Sequence, residues 1–380
     1  MTKLEFRISH CPSSGLQSVF EFRTSSFLAG HWLQCRLWGY VDTVGVCGYT
    51  WPASTRAEPS GRLTLRSIIL RTILSLCVLF AGVVAGANLS DATVRGQVQP
   101  HLSVDVNGYA YDWDNIGRFV LPGETLRLAT SDDANSSGWV AAAGELVDMG
   151  NATCWVAPPE PGLYPIIVTS GSTVRRINAF VMIPYDSLDK KGFLKGVKIG
   201  KYPKPIIEFP NFTRPKGFIV TTPDNLDTPV SPRYTLRDFV SRTMEGFPKY
   251  TVLREELLIK LELFTDLLQS KGFKFDRLNV FSGYRPPSLN RRVRYGRNSA
   301  HIYGGAADII VDGNNDGRLD DLNHDGQSNR KDAKLLASYA EELEEKHPEL
   351  SGGIGWYSRT RSRGAFIHVD VRGRRSRWHQ

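Results

Sequence analysis

One apolar run divides this chain and sets the terms for what can fold on either side of it. Thr72–Ala87 (TILSLCVLFAGVVAGA) is uncharged but only 16 residues long, short of the ~20 that a membrane-spanning helix needs. Arg62, Arg66 and Arg71 precede it, and Ala85 and Ala87 sit two apart before Asn88. A basic stretch, an apolar centre and an A-x-A-like site form the pattern of a secretion signal over 61–87; the alternative is an uncleaved membrane anchor. Leu76, before Cys77, is larger than the small residue a lipidation site takes there. Cys11, Cys35, Cys47 and Cys77 precede residue 88, and Cys154 alone follows it. A chain starting near 88 therefore folds without an internal disulfide and without a zinc site built from several thiolates.

The 380 residues allow two or three domains. At 41% hydrophobic and 23% charged residues, a mainly disordered or collagen-like chain is excluded. The net charge is +8, yet residues 88–380 hold 39 Lys/Arg against 35 Asp/Glu. That mild excess suits an anionic surface such as a cell wall and requires no nucleic acid. Residues 1–60 show no sustained period and carry scattered Trp, Cys, Ser and Gly. They are read as a non-native or disordered extension, either an over-extended gene start or a poorly ordered cytoplasmic tail, with no function assigned.

Residues 88–185 read as strands. LSVDVNGYAYDW (102–113) alternates apolar and polar residues, Pro122-Gly123 interrupts before TLRLAT, and WVAPPEPGLYPIIVTSG is followed by RRINAFVMI. Short strands with Gly/Pro turns predict a small all-β sandwich. PGLYPIIV resembles the late strands of Ig-like modules in bacterial envelope proteins, which implies a spacer, a wall-binding module or a packing domain. Residues 186–236, rich in Lys, Pro and Gly, read as an extended linker hugging the next domain. In 250–271, Leu253, Leu257, Leu258, Leu261, Phe264 and Leu267/Leu268 have the spacing of an amphipathic helix, stopped at Gly272.

The chemistry lies between 282 and 378. Its pieces are Ser282-Gly283-Tyr284-Arg285-Pro286, then Ser299-Ala300-His301-Ile302-Tyr303-Gly304-Gly305-Ala306-Ala307-Asp308, then Gly352-Gly353-Ile354-Gly355-Trp356-Tyr357, and last Phe366-Ile367-His368-Val369-Asp370-Val371-Arg372-Gly373. His301 and Asp308 offer a nitrogen and an oxygen donor seven residues apart. FIHVDVR alternates as a strand, so Phe366, His368, Asp370 and Arg372 share a face. Two His and one carboxylate suit zinc and leave a coordination position open, as catalytic rather than structural sites do.

S-x-H-x-x-G-x-A-x-D followed by an H-x-D strand resembles the zinc D-alanyl-D-alanine carboxypeptidase family, whose superfamily includes LAS-type murein endopeptidases and hedgehog-like domains. The resemblance covers roughly 205–378. It implies an α+β, hedgehog/DD-peptidase-like zinc peptidase domain over 237–380. His301, Asp308 and His368 would bind Zn²⁺, Arg285 would hold a substrate carboxylate or carbonyl oxygen, and Tyr284, Ser299, Tyr357 and Arg372 would meet substrate. Family branches carry a Glu or His just before the last ligand as general base. Ala365 and Phe366 stand there instead and take no proton. Asp370, the nearest ionisable residue on that strand face, is read either as the base or as a residue that orients His368.

Within 312–332 an acidic insertion reads as calcium loops. Asp321, Asn323, Asp325, Asn329 and Asp332 place oxygen donors at loop positions 1, 3, 5, 9 and 12, with Gly326 at the turn and Gln327 offering its carbonyl. The loop resembles a dockerin-type calcium loop with Asp last; a preceding copy begins Asp312-x-Asn314-x-Asp316-Gly317. The competing reading is a solvated acidic loop that caps the following helix. The expectation is thus an exported zinc peptidase of the periplasm or cell envelope, binding Zn²⁺ and Ca²⁺. It would act on peptidoglycan peptides, as a carboxypeptidase or an endopeptidase, and meet a membrane only through an uncleaved signal segment. A non-catalytic wall-binding protein on the same fold is the alternative.

Overall fold

The computed structural model describes residues 3–10, 18–25, 33–39, 102–131, 137–292, 298–359 and 364–380. The export signal at 61–87 lies outside the described residues. Two compact units are present, Met1–Thr93 and Val94–Gln380. Among the described residues, no helix is long and apolar enough to cross a membrane.

In the first unit Lys3–His10, Ser18–Ser25 and Leu33–Gly39 pair as an antiparallel sheet in chain order, where an extension without regular structure was expected. The cue is short: Leu4, Phe6 and Ile8 alternate with charged and polar residues, a period-two pattern over a single strand.

The second unit opens with two sheets. One orders Tyr109–Tyr111, Val104–Val106, Thr125–Thr130, Thr153–Val156 and Glu145–Asp148; the other orders Asn115–Val120, Thr173–Val181, Gly162–Ser170 and Ser137–Ala141. Val104, Val106, Leu126, Leu128 and Trp155 from the first share one apolar core with Ile116, Ile166, Val168 and Ile177 from the second. Alternation supplies this core, since every second residue of a strand faces the same way.

No linker separates these sheets from the rest. Within 186–236, Leu194, Ile199, Tyr202, Phe212 and Phe218 are buried in a core with Tyr250, Tyr284, Ile302 and Tyr303. Gly217–Thr221 pairs with Lys249–Thr251 on one side and Ile183–Pro184 on the other. The Lys, Pro and Gly content of the segment reflects its turns, while its aromatic residues decide its burial. Phe119, Phe180 and Met182 of the β region join the core of the following domain. Arg118 meets Glu255 at 3.2 Å, and the Gly117 N–H donates to the Val230 carbonyl at 2.8 Å.

The sheet that carries the site orders Asn279–Ser282, Ala306–Ile310, Phe366–Asp370, Gly353–Tyr357 and Ser376–His379. Its pairs are antiparallel except the last, which is parallel. All five residues of Ala306–Ile310 are buried, which is why that strand reads as an unbroken small and apolar run around Asp308. Helix Glu255–Ser270 follows the predicted stripe: Leu257, Leu258, Leu261, Phe264 and Leu268 are buried, each such side chain contributing ~1.5–3 kcal/mol. Gly272, at φ +94°, takes the left-handed conformation that ends it. Helix Arg330–Lys346 packs against the Gly353–Tyr357 and Phe366–Asp370 strands. Its start is fixed by a capping box, in which Asn329 Oδ1 accepts the Lys331 N–H at 2.8 Å and Asp332 Oδ2 accepts the Asn329 N–H at 2.8 Å.

Candidate metal centre

Three elements deliver the donors. His301 stands on the single turn Ala300–Tyr303, and Asp308 on the strand that follows. His368 lies directly opposite Asp308 on the antiparallel neighbour. The turn between the first two is closed by Gly304, at φ +69°. A Cβ there would lie 2.4 Å from the Val252 carbonyl oxygen, so only glycine permits this approach.

All three side chains are buried, and one donor atom of each lies within 4.8 Å of the others. His301 Nε2 is 3.2 Å from Asp308 Oδ1 and 3.1 Å from His368 Nδ1, and His368 Nδ1 is 3.0 Å from Asp308 Oδ1. The opposite ring nitrogens are tied back. His301 Nδ1 is 2.7 Å from the Gly283 carbonyl oxygen, and His368 Nε2 is 3.0 Å from Asp370 Oδ2. A carbonyl oxygen only accepts, so His301 Nδ1 carries the proton and leaves the Nε2 lone pair facing the cluster. Asp370 does the same for His368 with the nitrogens exchanged. Two imidazole lone pairs and a carboxylate oxygen converging in this way fit a divalent transition metal, and zinc in particular.

The charges respond to one another. Burial pushes the His301 imidazole below its usual range, against the pull of Asp308. Burial also disfavours a charged His368, but hydrogen bonds to Asp308 and Asp370 outweigh it and hold that imidazole above the usual range. Asp308 is buried as well, and the two imidazoles hold its carboxyl well below the usual carboxylate range.

The geometry of Asp370 suits the orienting role: its carboxylate meets His368 Nε2, the ring nitrogen turned away from the cluster. It lies behind His368, away from the donor cluster, and is fully buried. Besides His368 its oxygens accept the Gly353 N–H at 2.7 Å, the Arg372 backbone N–H at 3.0 Å and the Arg372 side chain through Nε at 3.0 Å and Nη2 at 2.5 Å. Burial would raise its carboxyl, but the His368 and Arg372 bonds hold it far below the carboxylate range. Arg372, expected at substrate, is spent on this pair and stacks over Phe209, Phe212 and Trp378.

Tyr284 is also a core residue. Its side chain is buried, with its hydroxyl 2.9 Å from that of Tyr202. Ser299 contributes backbone: its carbonyl accepts the Ile302 N–H at 3.1 Å and starts the turn that carries His301. Tyr357 stacks on Phe366, centroids 4.5 Å apart at 7°, and accepts the Trp378 Nε1–H at 2.7 Å. Phe366 meets Phe281 edge-on at 5.1 Å, so the position that lacks a proton acceptor is part of an aromatic wall. Arg285 stands at the centre itself: Nη2 bonds Asp308 Oδ2 and lies 3.0 Å from His301 Nε2, while Nε donates to Ser282 Oγ at 2.9 Å.

Residues 243–331 match the family described as Peptidase M15. The match lies in the C-terminal part of the chain and is consistent with a domain of the M15 peptidase kind there. No curated protein and no solved structure matches the chain. The matched stretch holds Arg285, His301 and Asp308, whereas His368 lies beyond it and is brought in by the sheet.

A buried cation behind the candidate metal centre was not singled out in the sequence. Lys260 occupies the apolar face of its helix and is fully buried. Its Nζ donates to Glu344 Oε1 at 2.5 Å, the Asp370 carbonyl at 2.8 Å and the Leu350 carbonyl at 3.1 Å. Arg377 bonds the other Glu344 oxygen at 2.5 Å. Lys260 thereby pins the main chain of the strand that bears His368. A lysine where helical periodicity calls for leucine was the available signal, legible only once Glu344 is known to face it.

The acidic insertion folds as two like turns. Asp312 accepts the N–H groups of Asp316 and Gly317 at 2.9 and 3.1 Å, and Asp321 accepts those of Asp325 and Gly326 at 3.1 and 2.6 Å. Asn323 accepts the Asp325 N–H and Asp325 the Gln327 N–H. Asp332, assigned to loop position 12, is buried, and its oxygens accept the Leu322, Asn323 and Asn329 N–H groups. Lys331 Nζ lies 2.8 Å from Asp325 Oδ2. In this arrangement Asp332 caps a helix and Asp325 holds an ammonium.

Proposed function

We propose that the chain is an exported zinc peptidase that hydrolyses amide bonds in peptidoglycan stem peptides or crosslinks. The observation that carries the reading is the convergence of His301 Nε2, Asp308 Oδ1 and His368 Nδ1 beside Arg285, within a peptidase-family domain. His301, Asp308 and His368 would hold the metal, which polarises a scissile carbonyl and lowers the pKa of a bound water. The Gly283 carbonyl and Asp370 keep each imidazole in the tautomer that presents its lone pair. Arg285 holds Asp308 in place and brings a fixed positive charge to where a carbonyl oxygen gains negative charge. Phe281, Phe366 and Tyr357 form an apolar wall that limits water beside the centre. The alternative of a non-catalytic wall-binding protein draws on one feature, Phe366 where family branches place the proton acceptor.

Digestion of purified peptidoglycan by the zinc-loaded protein, with products identified by mass, tests the reading. Release of D-alanine or cleaved crosslinks is expected from the wild type and not from His368→Ala, which also loses its metal by atomic absorption. Zinc-loaded wild type that leaves every muropeptide intact would favour the binding reading.

Export rests on the Arg-flanked run Thr72–Ala87, and the mature protein from the cell envelope should begin at or near Asn88 on N-terminal sequencing. Residues 1–60 found intact on it would defeat that assignment. The two-sheet region would then be an Ig-like spacer. The 321–332 loop is a calcium site on this reading: its oxygen spacing supports it, with Ca²⁺ displacing the Lys331 ammonium from Asp325.

A further inference from the structure

Behind the metal centre, on its Arg372 side, a turn carries an isoleucine that nothing covers. Ile207 is 95% exposed, more than any other large apolar side chain among the described residues. A lone exposed apolar residue is ordinary, but this one is held out by a fixed frame. The Phe209 N–H donates to the Ile206 carbonyl at 3.0 Å, and the Phe212 N–H to the Phe209 carbonyl at 2.8 Å. Asn211 Nδ2 donates to the Val371 carbonyl at 2.6 Å, and Arg254 Nη2 to the Asn211 carbonyl at 2.9 Å. Phe209 and Phe212 lie against the Arg372 guanidinium. The phenyl rings of the turn are thus engaged by the domain, while Ile207 stands in solvent.

The surface around it is basic. Lys201 and Lys204 precede the turn, Arg214 and Lys216 follow it, and all four are exposed. Glu208 is the single acid in 201–216. Pro210 packs on Gly373, where an added Cβ would lie 3.3 Å from the proline Cδ, and this brings the exposed Arg374 and Arg375 beside the turn. Part of the charge is engaged. Lys216 meets Glu124 at 3.3 Å, Arg375 meets Glu341 at 3.6 Å, and Arg214 lies over the Tyr185 ring. No hydrogen bond or ion pair to another described residue engages the side chain of Lys204 or Arg374. Charge alone would suit any polyanion. A projecting isoleucine among cations suits a bilayer with anionic headgroups better: the phosphates pair with Lys and Arg, and the apolar side chain enters the acyl boundary.

We propose that the 201–216 turn is a docking surface for anionic phospholipid, with Lys204 and Arg374 on headgroup phosphates and Ile207 inserted between them. This contact is separate from the apolar run Thr72–Ala87 and does not depend on the peptidase reading. It holds the centre one way round against the bilayer, since Phe209 and Phe212 tie the turn to Arg372, and Arg372 is bonded to Asp370.

The test sediments the full chain with vesicles of mixed phosphatidylglycerol and phosphatidylcholine, and with vesicles of phosphatidylcholine alone. The apolar run can enter both, so the readout is the ratio of the two affinities, together with amide hydrogen exchange over 201–216. Wild type should favour the anionic vesicles, which should slow exchange over 201–216 while the neutral ones do not. Lys204→Gln and Arg374→Gln should each lower the ratio about fivefold. Ile207→Ser should lower it about tenfold, the lower end of what burying an isoleucine is worth. Arg176→Gln, which removes an exposed cation of the β region, should leave it unchanged. Exchange over 201–216 that anionic vesicles do not slow would overturn the proposal, as would an equal loss in Arg176→Gln. Weaker binding in Lys204→Gln and Arg374→Gln, with Ile207→Ser at wild-type affinity, would mark a patch for soluble polyanions and overturn the bilayer assignment.

Discussion

Replacing Asp370 by Asn separates the two roles that the sequence allows this residue. The carboxylate accepts five hydrogen bonds in a fully buried position, from His368, Gly353 and three N–H groups of Arg372. An amide has one acceptor oxygen, and in place of the other oxygen an NH₂ group that only donates. Turned one way, its NH₂ faces the Arg372 guanidinium; turned the other way, it faces His368 Nε2–H. The second arrangement drives the imidazole toward the tautomer protonated on Nδ1, which removes the lone pair from the donor cluster. Breaking one side of a buried ion pair costs ~3–5 kcal/mol. Arg372 keeps its stacking on Trp378 and is 13% exposed on its side chain, which places the loss near ~3 kcal/mol, the lower end of that range. At about 2–4 °C per kcal/mol for larger domains, melting of the metal-free protein should fall by roughly 6–12 °C. Zinc affinity, read by competition with a chromophoric chelator, should fall ~10- to 100-fold, while turnover per bound zinc changes far less. Unchanged zinc affinity with a turnover loss of ~10²–10⁴ would be the signature of a lost proton acceptor, and would refute the orienting role.

Zinc binding should weaken in acid, because His368 must release the proton that Asp308 and Asp370 help it hold against burial. A raised folded pKa stabilises the metal-free protein fully below the unfolded value of about 6.5 and loses that contribution as pH rises through the folded value; the melting gain from zinc should therefore grow from pH 6 to 8, and a flat gain would contradict it. Calcium should raise the melting temperature relative to chelator, by an amount that grows with its concentration over Kd; Asp325→Ala should abolish the difference, and identical wild-type melts with and without Ca²⁺ would reject the site.

Much of the centre was legible in the sequence because its donors lie in short motifs whose geometry is local. Seven residues and a glycine-closed turn join His301 to Asp308, and strand alternation alone puts His368 and Asp370 on one face. The apolar stripe of 255–270 and the capping box at Asn329 and Asp332 are local in the same sense, since both depend on spacings of three or four residues. What the sequence left open depends on partners distant in the chain. Asp370 reads as base or orienter within its motif, and only the fold puts Arg372 and the Gly353 N–H on its oxygens and places it on the far side of His368 from the cluster. Tyr284 reads as a substrate contact within its motif, yet Tyr202, from the supposed linker, fixes it in the core. Lys260 has no meaning without Glu344. A side chain's chemical type and periodicity are written in the sequence; which lone pairs, charges and water it faces is set by segments that only the folded chain brings together.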